Sequence, residues 1–240
     1  MKAYQQSLMD SMSYDLAEIS LKLGAFIFKE NPTKWESGYW MPAQSNFGSL
    51  LYDYNNRILI RQYFDSLRRF NSMGEFDIVA GTSLSAASPA TTLADLWQKS
   101  LIIVRTKPKD TGNNIAGLVK GQDLDKRKVA LIEDRIETGR SSAKAVQMIR
   151  DVKGVIDYCF TIFNYGFDEA VQVFDGKKPF ENLNKLTSSC RVYSALSYNK
   201  LIEVAITKKF FTEEQLRILE EWHADPFHWG ENHGFPKAVE

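Results

Sequence analysis

Four short apolar runs, each stopped by turn residues and separated by stretches of helical pattern, constrain this chain more than any other feature. They lie at 76–81, 101–104, 128–132 and 155–163, and Val, Ile, Leu and Phe dominate them. Runs of this length read as strands buried on both faces. Their alternation with helical segments predicts an α/β fold, an open and mainly parallel sheet flanked by helices. In such sheets ligands bind outside the carboxyl ends of the strands, so the loops that leave those ends carry the chemistry to be read.

Other segments frame this core. Leu8, Met12, Leu16, Ile19 and Leu23 recur near helical spacing, so residues 1–30 read as helical. Residues 31–50 read as a loop in which Pro32, Gly38, Pro42 and Gly48 punctuate Trp35, Tyr39 and Trp40. A second helix is expected over about 51–71 and another over 141–151. A C-terminal helical part is expected over about 195–224, with Thr212 ahead of two acids as a start signal. No internal repeat is present, which excludes solenoids and propellers.

Composition narrows the function classes. With 240 residues, 44% hydrophobic and 25% charged, the chain has the material for a sizeable core. Thirty Lys and Arg balance thirty Asp and Glu, which argues against a net-basic nucleic-acid binder. Cys159 and Cys190 are too few for a disulfide framework and read as reduced thiols, Cys159 inside an apolar strand. No signal-type segment and no membrane-spanning apolar run stand out, so the expectation is a cytoplasmic protein that meets no membrane. His223, His228 and His233 all fall near the C-terminus. They match no metal-ligand pattern and read as a polar tail packed near Trp222 and Trp229.

The loop after the third run places Glu133 and Asp134 where the strand stops. Arg135, Ile136, Glu137, Thr138, Gly139, Arg140 and Ser141 follow, a turn that opens a helix. Backbone N–H groups in such a turn make an anion cradle with the helix N-terminus. Adjacent carboxylates accept hydrogen bonds from a diol or bind a hydrated Mg2+. A phosphate beside a sugar diol describes a phosphorylated ribose. The same residues also read as an ordinary strand-to-helix turn with Ser141 as N-cap, and local chemistry leaves the two readings about even. After the second run, Arg105, Lys107 and Lys109 form a basic loop ending at Gly112. It would either clamp a diphosphate or be a solvated loop kept soluble by its lysines.

The strand, the acid pair and the turn at 138–141 together resemble the phosphoribosyl-diphosphate (PRPP) loop of type I phosphoribosyltransferases. Along nearly the whole chain the sequence is similar to the orotate phosphoribosyltransferase family. The basic loop, the hood-like segment 31–38 with Pro42, the segment 161–167, and 220–226 with Trp229 carry that similarity in order. The resemblance implies a single domain, with residues 1–50 as N-terminal helix and hood, 51–194 as α/β core and 195–240 as C-terminal helical extension. It implies that Glu133 and Asp134 hold the ribose hydroxyls and that the turn 137–141 cradles the 5′-phosphate, with Arg135 and Ile136 in the same loop. Arg105, Lys107 and Lys109 would contact the diphosphate and stabilise its charge. Ser37, Gly38 and Tyr165 would lie near the base. Mg2+ would accompany PRPP, orotate would be the acceptor, and a homodimer would share the Lys109 loop.

Several site positions depart from the family pattern. Thr111 stands where the basic loop usually has His, Glu137 where the turn has Thr or Ser, and Arg140 where it has a small residue. The loop at 81–88 lacks a second glycine, and Ala43, Gln44 and Ser45 replace residues that are often aromatic. Two functions follow: an active phosphoribosyltransferase acting on orotate, or a catalytically weakened relative that binds PRPP or a nucleotide as a regulator or partner.

Overall fold

The computed structural model describes residues 2–35, 38–82, 84–106, 115–116, 124–180 and 185–236. The first helix, α1 (Lys2–Lys22), buries Met9, Met12, Leu16 and Leu21. It stops short of residue 30 because Gly24 takes a left-handed φ of 66°, and Ala25 N donates to Ser20 O at 2.8 Å. The chain then forms an antiparallel hairpin, β1 (Phe26–Lys34) with β2 (Trp40–Ser45), followed by a 3-10 turn at Phe47–Tyr52. The loop expected over 31–50 is therefore largely strand. Pro32 and Pro42 made it look broken, but both lie where the pairing shifts register between Phe28 and Thr33, a bulge that tolerates proline. Helix α2 (Tyr54–Phe70) begins at Asp53, whose side chain accepts from Asn55 N at 2.8 Å and Asn56 N at 3.2 Å.

The core alternates as expected: β3 (Ile78–Gly81), α3 (Leu84–Trp97), β4 (Ser100–Val104), a short β5 (Ile115–Ala116), β6 (Lys128–Ile136), α4 (Arg140–Asp151), β7 (Val155–Asn164), α5 (Asp168–Phe174) and β8 (Arg191–Ser197). The sheet runs β5-β4-β3-β6-β7-β8, with every pair parallel except β4 with β5. Alternate residues divide the apolar side chains between two cores. Val79, Ala130, Ile132 and Phe160 face one core with α1, α2 and the hairpin, while Ile78, Ala80, Val129, Leu131 and Cys159 face the other with α4 and α5. Cys159 and Cys190 are both free and buried.

The C-terminal part is not helical from residue 195, because β8 occupies 191–197 and adds a parallel strand to β7. Helix α6 (Tyr198–Thr207) follows, capped by the Ser197 side chain. Helix α7 (Glu213–Ala224) starts at Thr212, which exchanges side-chain and backbone hydrogen bonds with Gln215. A final turn, α8 (Trp229–Asn232), closes the chain onto the hairpin. Trp222 Nε1 donates to Trp40 O at 3.1 Å, and Trp40 Nε1 donates to Pro236 O at 2.9 Å. Among the described residues no helix is long and apolar enough to cross a membrane.

Candidate active site

Parallel pairing sets Gly81, the end of β3, against Ile132 of β6, so the residues just beyond each meet. Strand β6 runs on past Ile132 to Ile136, because Glu133, Arg135 and Ile136 keep pairing with Thr161, Phe163 and Asn164 of β7. The acid pair therefore belongs to the strand rather than to a loop, and the turn is only 137–139. Pleating points the two acids in opposite directions.

Glu133 is buried. Its Oε1 accepts from Thr82 Oγ1 at 2.6 Å and from Asp134 N at 3.1 Å, and its Oε2 accepts from Ser142 Oγ at 2.8 Å. The group thus ties the end of β3 to the first turn of α4. Burial, then the charge of Asp134, pushes its pKa up to about 8 against the opposing hydrogen bonds of Thr82 and Ser142. Asp134 itself is partly exposed.

The turn is shaped by Gly139, at φ 76°, which is the N-cap of α4 and gives no side-chain cap. Ser141 is therefore not the cap. It lies inside the helix, with Oγ 3.2 Å from Thr106 Oγ1, and so links the turn to the loop after β4. Gly139 also has to be small. A Cβ there would lie 3.0 Å from Phe174 Cε2 and 3.3 Å from the Ala170 backbone, both on α5. The Ile136 and Thr138 side chains are buried.

The two unusual charges in this turn both have partners. Arg135 Nε donates to Glu137 Oε1 at 2.8 Å, and its Nη1 donates to Ser45 O at 3.2 Å, which joins the turn to the end of β2. Arg140 donates from Nε and Nη2 to Glu169 Oε1, at 3.0 and 2.7 Å. Glu137 therefore enters the turn with a cation beside it, which offsets the repulsion its carboxylate would exert on an anion.

Arg105 stands just beyond the end of β4. Lys107, Lys109, Thr111 and Ser37 lie outside the described residues. Gly38, at φ 87°, turns the hood between Trp35 and Tyr39; Gly38 N donates to Trp35 O at 2.9 Å. Tyr165 is 1% exposed, and its ring packs against Trp35, Phe163, Phe167 and Trp222. Its hydroxyl donates to Ser45 Oγ at 2.8 Å, and burial raises its pKa. The ring is part of the aromatic core that supports the hood.

Two histidines pack beside the tryptophan-rich tail. His233 stacks on Trp229 at 4.3 Å, while His223 stacks on Tyr198 at 4.0 Å with Nε2 2.7 Å from Tyr165 O. His223 is held below the ordinary imidazole pKa by burial. Among the described residues no group of three or more His, Cys, Asp or Glu could hold a metal ion.

Sequence reasoning did not single out Thr82, Ser142, Glu169 or Lys178. Thr82 and Ser142 stand next to glycine and helix-start signals and were within reach. Glu169 meets Arg140 across 29 residues of sequence, and no local pattern marks it.

No family model matches the chain. Among curated proteins, an orotate phosphoribosyltransferase of Listeria innocua is 33% identical over 225 residues, covering 92% of this chain and 99% of its own. Among solved structures, UMP synthase of Leishmania donovani superposes with a TM-score of 0.69 at 17% identity over 88% of this chain, which spans 42% of that longer protein. Orotate phosphoribosyltransferase of Aeropyrum pernix superposes with a TM-score of 0.61 at 18% identity, covering 78% of this chain and 97% of its own. These structural likenesses speak for the fold, while the Listeria relative speaks for the kind of protein.

Proposed function

The chain belongs to the orotate phosphoribosyltransferase family, and from that premise we propose that it transfers the phosphoribosyl group of PRPP to orotate, giving orotidine 5′-monophosphate and diphosphate. One observation carries the reading at the site: the acid pair at the end of β6 leads through Gly139 into the N-terminus of α4, the arrangement a phosphorylated ribose needs.

In this reading the backbone N–H groups of 137–141 bind the 5′-phosphate. Asp134, the partly exposed acid, meets the ribose hydroxyls. Glu133 stands behind it, and its bonds to Thr82 and Ser142 brace the end of β3 against the first turn of α4. A ring nitrogen of orotate gives its electron pair to the anomeric carbon while the bond from that carbon to the diphosphate oxygen breaks. The nitrogen's proton passes to water, and diphosphate leaves with the bonding pair. Arg105, Lys107 and Lys109 stabilise the charge that gathers on the leaving group. A lysine in water is protonated near pH 7, so the two lysines would act as fixed charges rather than as bases.

Mg2+ suits this donor set only as a companion of the substrate. With no three-ligand cluster among the described residues, diphosphate oxygens and water would hold the ion, with Asp134 and Glu133 nearby. When bound, it neutralises diphosphate charge. A homodimer in which the Lys109 loop reaches the neighbouring site is part of the same proposal.

The test is the loss of orotate absorbance with PRPP and Mg2+, with Asp134→Asn as control. Turnover that disappears in the control supports the assignment. Absent turnover, with PRPP still bound by calorimetry, would overturn it in favour of a regulator.

A further inference from the structure

Glu169 has no part in the chemistry above, yet it stands in the first turn of α5 with its side chain only 5% exposed. Three N–H groups converge on one of its oxygens, Oε1: Arg140 Nε at 3.0 Å, Arg140 Nη2 at 2.7 Å and Lys178 Nζ at 3.2 Å. Two cations that share one buried carboxylate oxygen compete for it, and each loosens the other's hold. Arg140 is the first residue of α4 and Lys178 lies just beyond α5, with side chains 38% and 42% exposed. A Cβ at Gly139 would press on Ala170 and Phe174 of the same helix, so α5 limits what the turn can hold. Helix α5 thus governs both the shape of the turn and where its guanidinium sits.

Building on the function proposed above, we propose that Glu169 and Lys178 are positioning residues for Arg140, holding its guanidinium ready beside the turn until a substrate phosphate draws it across. Phosphate arrives at a helix N-terminus that already favours an anion and competes with Glu169 for Arg140. A buried carboxylate deserted by its cation is strongly unfavourable. Lys178 removes that obstacle, because it remains on Glu169 when Arg140 leaves. The two residues therefore act in opposite senses: Glu169 restrains Arg140 and Lys178 releases it. A purely structural ion cluster would make them equivalent, since loss of either would loosen the turn.

The experiment is calorimetric binding of PRPP and of ribose 5-phosphate to the full chain, with thermal melting of each variant and KM and kcat under turnover. Glu169→Gln should tighten binding of both ligands by roughly three- to fivefold, and Lys178→Met should weaken it by a similar factor. The double variant should return close to wild type, with kcat and the KM for orotate little changed throughout. Single variants that shift affinity in the same direction, or leave it unmoved, would overturn the inference while the proposed function stands. Wild-type protein that binds neither ligand would overturn both. If Glu169→Gln does not fold, Lys178→Met alone decides, because unchanged or tighter binding there contradicts a releasing role.

Discussion

Thr82 Oγ1 donates to Glu133 Oε1 at 2.6 Å, joining the residue after β3 to strand β6, 51 residues apart in sequence. Ser142 reaches the other oxygen from α4, so one buried carboxyl sets the distance between the end of β3 and the start of α4. Burial, then Asp134, raises this carboxyl from an ordinary 4.5 to about 8 in the folded protein. Between those values the folded state keeps a proton that the unfolded chain has released. The stabilising contribution is then complete below about pH 4.5 and is lost as pH rises through about 8. Glu133→Gln keeps the hydrogen-bonding shape but cannot titrate. Its melting temperature should fall less than that of wild type between about pH 5 and 8. Parallel curves for the two proteins would refute a raised pKa at this position.

Gly139 meets two demands at once: a φ of 76°, and a Cβ-free approach to Phe174 and Ala170. Gly139→Ala should cost about 1–2 kcal/mol for the left-handed backbone alone, with further loss from the contact. The turn would shift away from α5, so the KM for PRPP should rise while the KM for orotate stays near wild type. Urea unfolding measures the first effect and steady-state kinetics the second.

The sheet was legible wherever a strand is buried on both faces. The runs ending at Gly81, Val104 and Asn164 are largely apolar, and Gly81, Arg105 and Asn164 marked where they stop. β8 was not legible: Ser194, Ala195 and Ser197 dilute its apolar pattern, and Leu196 runs into the next helix with only the Ser197 cap between them. The hood hairpin was hidden by Pro32 and Pro42, which usually break strands and here occupy a bulge. At the site, Glu133, Asp134 and the glycine turn stood out because they are contiguous. The neutralising partners did not, because the Arg140–Glu169 pair forms only once β7 and α5 are in place. The Arg135 contact to Ser45 depends on the hairpin reaching the core.

The C-terminal extension ties the hood to the core through Trp222, whose Nε1 donates to Trp40 O at 3.1 Å while its ring packs on Trp35 and Tyr165. Trp222→Phe keeps most of the apolar contact and removes the donor, leaving a carbonyl to find water at a cost of about 1 kcal/mol. If the hood covers the base, this variant should raise the KM for orotate more than the KM for PRPP. Equal changes in both would mean that the hood serves the whole fold rather than the base site.

Arg135 links hood and turn, bonded at once to Glu137 Oε1 and to Ser45 O. Replacing it with Gln removes the Arg135 cation from beside Glu137, whose carboxylate belongs to the turn proposed to bind phosphate. Repulsion between like charges at contact is about 1–4 kcal/mol at effective dielectrics of 80 to 20, so the KM for PRPP should rise by roughly fivefold or more. The effect should depend on Glu137. In an Arg135→Gln, Glu137→Thr double variant the repelling charge is gone, and the KM for PRPP should fall back toward wild type. If the double variant stays as impaired as Arg135→Gln alone, then Arg135 acts through its bond to the hood and not through its charge. Measuring the KM for orotate in the same proteins separates the two roles, because only loss of the Ser45 contact should move it.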